Sequence, residues 1–122
     1  MENNNPNDAN ENRDNVFIGI EPQLTKNCVN FTAKRIWYED DLLHAIMFVT
    51  NGYPHTIYDI GDISIKISNP QGAIAEGFFS SVQIAEIESN QSVERIFNFD
   101  DIKAVNANLK GRLKTQCDCT YW

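Results

Sequence analysis

The sequence predicts an all-β protein, and the architecture we expect is an immunoglobulin-like antiparallel β-sandwich of about seven strands. Short segments rich in β-branched and aromatic residues alternate apolar with polar side chains, which is the period of a half-buried strand. Turn residues separate these segments at short intervals, and no long segment has the spacing of an amphipathic helix. A small closed barrel is the alternative arrangement of the same strands.

The chain is long enough for one domain with its own core. Its 122 residues and 13.9 kDa predict that folding buries about two-thirds of the surface of the unfolded chain. Residues 1–15 are dominated by Asn, Asp and Glu, and their only apolar side chains are Met1 and Ala9. Burial cannot offset the entropy of ordering such a segment. We therefore expect a disordered Asn-rich tail over residues 1–15 and a single β-sandwich domain over residues 16–122.

The first half of the domain contains three predicted strands. Residues 16–22 form a short β-prone run closed by a proline, as in an edge strand or an extended lead-in. Residues 29–38 are rich in β-branched and aromatic side chains, and the acidic residues 39–41 predict a polar turn after them. In residues 42–50 both alternating sets of side chains are largely apolar, which predicts a central strand covered on both faces. The Asn-Gly-Tyr-Pro sequence at residues 51–54 predicts the turn that ends this strand.

An antiparallel hairpin is predicted next. Ile63, Ile65 and Ile67 alternate with polar residues, which indicates a strand with one face exposed to water. The Asn-Pro-Gln-Gly sequence at residues 69–72 has Pro and Gly at the positions that a type I turn favours. Residues 73–79 then form the return strand.

The rest of the domain contains two further predicted strands. Residues 82–92 fit neither the strand period nor the helix period, and we expect a helical turn or an irregular crossing there. Alternation resumes in residues 93–99. Leu and Gly alternate with basic residues over residues 109–114, which predicts the last strand.

The charge balance argues against two classes of partner. Ten Lys and Arg against seventeen Asp and Glu give a net charge of −7, so the field of the protein repels phosphate backbones and anionic lipid surfaces. We therefore expect no nucleic-acid partner. No segment approaches the roughly 20 apolar residues of a membrane-spanning helix, so we expect no membrane insertion.

The first residues do not have the pattern of a signal peptide. They contain one Arg and no apolar run, whereas a secretory signal needs basic residues followed by an apolar region. We expect a cytoplasmic protein, or one that reaches the cell surface or a spore by a non-classical route.

The three cysteines leave several pairings open. Because three is an odd number, a fully paired disulfide framework within one chain is impossible. Reduced thiols in a cytosolic protein are one interpretation. The other interpretations are a disulfide between Cys28 and either Cys117 or Cys119, or cross-links between chains through the Cys-Asp-Cys sequence.

The sequence does not single out a catalytic or metal site. His44 and His55 lie outside zinc-site spacings, and the acidic clusters lack the register of a calcium loop. A cysteine nucleophile would need a neighbouring base and an orienting group, and Cys28 with His44 or His55 is a possible combination. We expect a protein that is not an enzyme and holds no metal or cofactor.

Aromatic residues and the N-terminal β-prone run are the candidate interaction residues. Tyr and Trp are enriched at interfaces, although they also fill cores. The aromatic candidates are Trp37, Tyr38, Tyr53, Tyr58, Tyr121 and Trp122, of which we expect Tyr53, Tyr121 and Trp122 to be exposed. The run that begins Val16, Phe17 and Ile18 is a candidate donor strand, which would pair within its own chain or with a neighbour.

The order of several segments resembles a known family. The segments are residues 35–38 (RIWY), 48–52 (FVTNG), 69–72 (NPQG), 74–79 (IAEGFF), 84–89 (IAEIES) and 92–99 (SVERIFNF). This order resembles the SLAP domain of Gram-positive bacteria of the Bacillus group, which is associated with the accessory Sec system and S-layer assembly. The resemblance covers residues 31–99 and implies a role in envelope or surface-layer assembly. In such a sandwich, the side chain of Asn51 would complete the turn it begins, and Phe78, Phe79, Phe97 and Phe99 would anchor the two sheets.

Three functional hypotheses follow from the sequence. The first is a non-enzymatic protein-interaction or assembly module that docks a protein partner or its own copies. The second is a structural subunit of a spore or surface assembly, cross-linked through Cys117 and Cys119. The third is a cysteine hydrolase or a metal-binding protein.

Overall fold

The described residues form an antiparallel β-sandwich. The computed structural model describes residues 15–19 and 21–122, and every regular element in them is a β-strand. The strands are β1 (Val16–Ile18), β2 (Val29–Glu39), β3 (Leu42–Asn51), β4 (Ile57–Asn69), β5 (Gly72–Phe79), β6 (Ile84–Ile87), β7 (Ser92–Phe99), β8 (Asp101–Ile102) and β9 (Lys114–Thr120). They form two sheets packed against each other, which confirms the predicted all-β sandwich, with nine strands where about seven were expected.

The first sheet has the strand order β1-β2-β3-β7, with every neighbouring pair antiparallel. Strands β2 and β3 form a hairpin closed by Asp40 and Asp41, whose φ angles are 55° and 62°. Two-residue hairpin turns with both central residues at positive φ match the twist of the strands, and Asp tolerates that conformation. The predicted polar turn at residues 39–41 is confirmed.

The second sheet is built around β4. Strands β5 and β9 both pair with residues 64–68 of β4, so they occupy its two opposite edges. Strand β6 pairs with the first residues of β4, and β8 extends the sheet beyond β5. Asp59 and Asp62 have positive φ angles of 55° and 48°, and they interrupt the regular strand where the neighbour of β4 changes from β6 to β5.

The β4–β5 turn lies where the sequence predicts it. Asn69 pairs with Gly72, and the Asn69 Oδ1 accepts a hydrogen bond of 2.9 Å from the backbone N–H of Gln71. Gly72 has a φ of 134°, a conformation that residues with a Cβ rarely adopt. This position therefore requires glycine.

Three phenylalanines pack between the sheets. The ring of Phe79 meets Phe97 and Phe99 edge-on, with centroid distances of 4.9 and 5.0 Å. Aromatic rings favour this edge-to-face arrangement. The prediction that Phe78 also anchors the sheets is wrong, because adjacent residues of a strand point to opposite faces and Phe78 is 63% exposed.

The segment before β9 is a loop rather than the predicted strand over residues 109–114. The buried Tyr38 hydroxyl donates to the Ala104 carbonyl and accepts from the Ala107 N–H, each at 3.0 Å. The Asn15 side chain donates to the Ala107 carbonyl and accepts from the Leu109 N–H, at 2.9 and 2.8 Å. Because side chains occupy these backbone groups, the segment does not enter a ladder, and the strand begins at Lys114.

Residues 84–87 form a strand, and the predicted helical turn or irregular crossing is wrong. Ile84 pairs with Ile60, and Ile87 pairs with Ile57. All four side chains are buried. Ile57 and Ile60 on β4 are three residues apart, and so are Ile84 and Ile87 on β6, whereas side chains on one face of a regular strand are two residues apart. On β4 the spacing departs from strand alternation at Asp59, where φ is positive.

Candidate functional site

The outer face of the first sheet carries a set of large apolar side chains. The inward-facing residues of this sheet, such as Ile36, Ala45 and Phe97, are fully buried, so their neighbours along each strand point outward. We call the outward set the apolar face; it comprises the apolar residues Val16, Ile18, Trp37, Ile46, Phe48 and Ile96, together with Arg35 and His44, which lie against the Trp37 ring.

Two rows of cross-strand neighbours cross all four strands of this sheet. The first row is Val16, Trp37, His44 and Asn98. The second row is Ile18, Arg35, Ile46 and Ile96. Directly opposed residues on antiparallel strands share a face and lie within contact distance, so each row is a continuous stripe.

Trp37 is held in place by its neighbours. The guanidinium of Arg35 lies 4.7 Å from the Trp37 ring, and the His44 ring lies 5.5 Å from it between centroids. The His44 Nδ1 is 2.7 Å from the Asn98 Oδ1, which is a hydrogen bond, and the indole N–H donates to a Glu39 carboxylate oxygen at 3.3 Å. These contacts restrict the orientation of the indole before any partner binds.

The charged groups on the outer side of this sheet balance one another. Lys34 forms an ion pair with Glu94 and lies 5.7 Å from the centre of the Phe48 ring. Arg35 and Glu39 are the other charged side chains that accompany the apolar face. Exposed ion pairs contribute about 0–1 kcal/mol, so the Lys34–Glu94 pair matters here mainly because it neutralises the surface.

The apolar face is exposed. Ile18 and Ile96 are 66% and 51% exposed, and Trp37, Ile46 and Phe48 are half-buried. The prediction that β3 is covered on both faces is wrong, since in the described part of the chain no element packs over its outward set. Sheet faces in contact with water normally carry polar side chains. Large exposed apolar patches on folded proteins occur at sites of interaction with proteins, ligands or membranes.

The outer face of the second sheet shows the usual polar pattern. A shallow groove of about 530 Å³ runs across it, and Lys66, Glu76, Asp101 and Asp118 are among its charged lining residues. Phe78 is a large apolar side chain exposed there. The two outer faces of the sandwich therefore differ sharply in chemistry.

The structure separates the three residues of the candidate donor strand. Val16 and Ile18 point outward onto the apolar face, whereas Phe17 packs against the core between the sheets. Strand β1 pairs with β2 of its own chain, with Val16 opposite Trp37. The remainder of that predicted run includes Ile20, which lies outside the described residues.

The three aromatic residues that were expected to be exposed divide into a packed pair, Tyr53 and Tyr121, and an exposed residue, Trp122. The hydroxyls of Tyr53 and Tyr121 are 2.7 Å apart, and both rings pack against buried isoleucines. The hydrogen bond from Tyr53, followed by burial, raises the pKa of Tyr121 to about 12. Trp122 is 83% exposed, and its backbone exchanges two hydrogen bonds with Tyr58 at 2.7 and 2.8 Å. Tyr53 and Tyr121 therefore stabilise one end of the sandwich.

All three thiols are free in this structure. Cys117 and Cys119 are two residues apart on β9, so both face the core, and both are half-buried there. Burial raises the pKa of Cys117 to about 12 and the pKa of Cys119 to about 11. Cys28 is exposed in the turn before β2. The predicted disulfides, within or between chains, remain predictions.

Across residues 15–19 and 21–122, no three His, Cys, Asp or Glu side chains are grouped so that they could hold a metal ion. None of the elements formed by these residues is a helix long and apolar enough to cross a membrane.

Sequence reasoning missed the centre of the apolar face. Ile46, Phe48 and Ile96 were assigned to strands but were not named as interaction residues. The signal was present, because both alternating sets of residues 42–50 are apolar. That pattern shows that a strand has two apolar faces, but it does not distinguish a face covered by the same chain from one left exposed.

The fold and this surface together define a β-sandwich with one apolar and one polar outer face. Comparison with known protein families, curated proteins and solved structures finds no match for the chain. The apolar face is therefore the feature of this chain that bears most directly on its function.

Proposed function

We propose that the protein is a non-enzymatic interaction module that docks a protein partner through the apolar face. The observation that carries the proposal is the pair of cross-strand rows exposed on the first sheet. The four strands of the first sheet contain 3, 11, 10 and 8 residues, and at about 3.4 Å per residue and 4.8 Å between strands they give a face of roughly 520 Å². A standard protein interface buries about 800 Å² on each partner, so the face has the size of a small interface.

The composition of the apolar face supports docking to a protein. Trp and Arg are enriched at interface centres and dominate binding energies, and here Arg35 stacks on Trp37 among isoleucines. Because Arg35 and His44 already hold the indole, little side-chain freedom remains to be lost on binding.

The chemistry of Cys117 and Cys119 argues against cross-linking through β9. A reactive thiol has a lowered pKa and is accessible, whereas burial raises the pKa of Cys117 and Cys119 far above neutrality. This environment disfavours a subunit that is cross-linked through these two residues.

We further propose that the docking serves assembly of a bacterial envelope or surface layer. This part of the proposal rests on the resemblance of residues 31–99 to the SLAP domain, and a likeness of fold does not determine function. Its test is the location of the tagged protein in cells that produce it, together with the integrity of their surface layer when the gene is deleted.

Site-resolved footprinting tests the docking itself. Hydroxyl radicals oxidise exposed aromatic side chains, so we would compare oxidation of Phe48 and Phe78 in the purified protein with and without extract of the producing cells, at about 0.1 μM protein, which is below the micromolar range in which two copies would associate. We expect protection of Phe48 and no change at Phe78, and the Ile96→Glu variant should lose the protection. Protection confined to Phe78, or none at either ring, would contradict the proposal.

A further inference from the structure

We propose that the partner on the apolar face is a second copy of the chain, packed face to face across a two-fold axis. This inference rests on the proposed function and specifies its partner. A second copy supplies a twisted sheet with the same apolar face, which is the surface that aligned sheet-on-sheet packing requires. Most soluble oligomers are homo-oligomers with two-fold symmetry, in which one patch meets itself.

The register of the strands determines how the two copies meet. The strand order β1-β2-β3-β7 puts the centre of the sheet between β2 and β3. A two-fold axis along the strands at this centre places β1 of one copy over β7 of the other. Ile18 and Ile96 lie in the same cross-strand row. Rotation about this axis does not move residues along the strands, so Ile18 of each copy would face Ile96 of the other copy. They are 66% and 51% exposed in the single chain, so this packing buries the most exposed aliphatic groups of the face.

The area agrees with a weak, reversible dimer. Two faces of roughly 520 Å² bury about 1,000 Å² in total, which is the lower limit for a biological interface.

The distribution of charge selects this face for self-association. The chain carries a net charge of −7, so most contacts between two copies are repulsive. On the outer side of the first sheet the charges of Lys34 and Arg35 are balanced by those of Glu39 and Glu94. The polar outer face carries four acidic groups, Glu76, Asp100, Asp101 and Asp118, against Lys66 and against Lys103, which pairs with Asp101, so it would bring together two surfaces of net negative charge.

Sedimentation equilibrium in the presence of a reductant tests the dimer, because the reductant removes any disulfide-linked species. Between about 1 and 200 μM, a range that covers micromolar affinity, we expect the mass to rise from 13.9 kDa towards twice that value. Ile18→Glu and Ile96→Glu should each weaken dimerisation at least about tenfold, since each buries a carboxylate against an apolar side chain. Phe78→Glu is the matched control, because Phe78 is 63% exposed on the other outer face, and it should leave the association unchanged.

Mixing two variants tests the arrangement. Ile18→Glu and Ile96→Lys should each associate weakly alone and form a heterodimer when mixed, because the axis brings the introduced carboxylate and ammonium together. Failure of the mixture to associate would overturn this arrangement. Circular dichroism of each variant verifies that the exposed substitutions leave the fold intact.

The failure of this inference is distinguishable from failure of the proposed function. A wild-type chain that stays at 13.9 kDa throughout the concentration range overturns the second copy, while protection of Phe48 in cell extract would still support docking to another protein. A dimer that survives Ile18→Glu and Ile96→Glu but is lost in Phe78→Glu places the interface on the polar face, and it overturns both proposals.

Discussion

Asn51 organises one end of the sandwich with a single buried side chain. Its amide donates to the carbonyls of His55 and Ile87 at 2.8 and 2.9 Å, and its Oδ1 accepts from the Tyr53 N–H at 2.8 Å. The hydrogen bond from the Tyr53 N–H closes the turn after β3 on the side chain of Asn51, the first residue of that turn. The sequence predicted this arrangement for an Asn-Gly pair. Asn51 is fully buried. Its side-chain amide hydrogens and its Oδ1 nevertheless all have protein partners.

Replacing Asn51 should therefore destabilise the fold strongly. Asn51→Ala leaves a buried carbonyl of Ile87 and the Tyr53 N–H without partners, and we expect a loss of about 2–4 kcal/mol in the free energy of unfolding. Urea denaturation measures it. Asn30→Ala is the control, because the Asn30 amide also donates two hydrogen bonds but in an exposed site, and it should cost less than about 1 kcal/mol. Equal effects of the two substitutions would contradict the role of burial.

The thiols should differ in reactivity. Burial raises the pKa of Cys117 to about 12 and that of Cys119 to about 11, so both are protonated at pH 8. We expect one thiol of the native protein to react with a disulfide reagent and two to react at least about 100-fold more slowly, since only the thiolate is nucleophilic. Stopped-flow absorbance measures the phases, and Cys28→Ser should remove the fast one. Three equally fast thiols would count against the inward orientation of β9.

At the scale of elements, short polar residues shape the turns. Each described non-glycine residue with a positive φ is Asn or Asp: Asn27, Asp40, Asp41, Asp59, Asp62, Asn90 and Asn106. These residue types adopt the left-handed conformation at lower cost than others. Only the turn at Asp40 and Asp41 was predicted from sequence, because the same residue types also occur on exposed strand positions.

Gly52 joins the end of β3 to the turn before β2 through close backbone contact. A Cβ added here would lie 1.8 Å from the carbonyl oxygen of Thr25 and 3.0 Å from that of Cys28. The Gly52 N–H donates to the Cys28 carbonyl at 2.8 Å, and its own carbonyl accepts from the Asn27 N–H at 2.8 Å. The end of β3 and the turn before β2 can approach this closely because no side chain separates them.

Adding a methyl group at this junction should be costly. Gly52→Ala forces the backbone apart, and we expect the free energy of unfolding to fall by about 2–3 kcal/mol. Gly111→Ala is the matched control, since its added Cβ meets only the Asn108 amide nitrogen at 3.9 Å, and its effect should stay within about 0.5 kcal/mol. Thermal and urea denaturation of both variants give the comparison. A Gly52→Ala variant as stable as Gly111→Ala would show that the junction is not tightly packed.

At the scale of the whole molecule, three acidic groups link stability to alkaline pH. Burial holds the pKa of Cys117 near 12 and that of Cys119 near 11, and the hydrogen bond from Tyr53 raises the pKa of Tyr121 to about 12. In the unfolded chain a thiol titrates near 8.5 and a phenol near 10. The folded state therefore keeps protons that the unfolded state releases, and its stability is complete below these unfolded values and falls as pH rises.

We expect the urea midpoint to fall progressively between about pH 9 and pH 12. Cys117→Ala removes the group with the largest burial and should flatten the dependence. Cys28→Ser, which changes an exposed thiol, should leave it unaltered. Constant stability up to pH 11 would contradict the inward placement of Cys117.

The fold was more predictable than the candidate site. The strand positions of β2, β3, β5 and β7 and the turns at residues 39–41 and 69–72 follow from alternation and turn chemistry, which are properties of neighbouring residues. Strand β6 was missed because its buried residues Ile84 and Ile87 are three apart, a spacing that matches that of their partners Ile60 and Ile57 on β4. Strand β9 was displaced because side chains of Asn15 and Tyr38 hold the loop before it.

The sequence by itself determined the fold class, most strands, the principal turns and the presence of two apolar sets of side chains on β3. Only the tertiary structure decided that one of these sets, with Ile46 and Phe48, faces outward and that Val16 and Ile18 join it from β1. The physical reason is that local patterns depend on the geometry of one strand. Whether a face is covered depends instead on which distant strands pack against it, and the core formed by Phe79, Phe97 and Phe99 covers one side of the first sheet and leaves the other exposed.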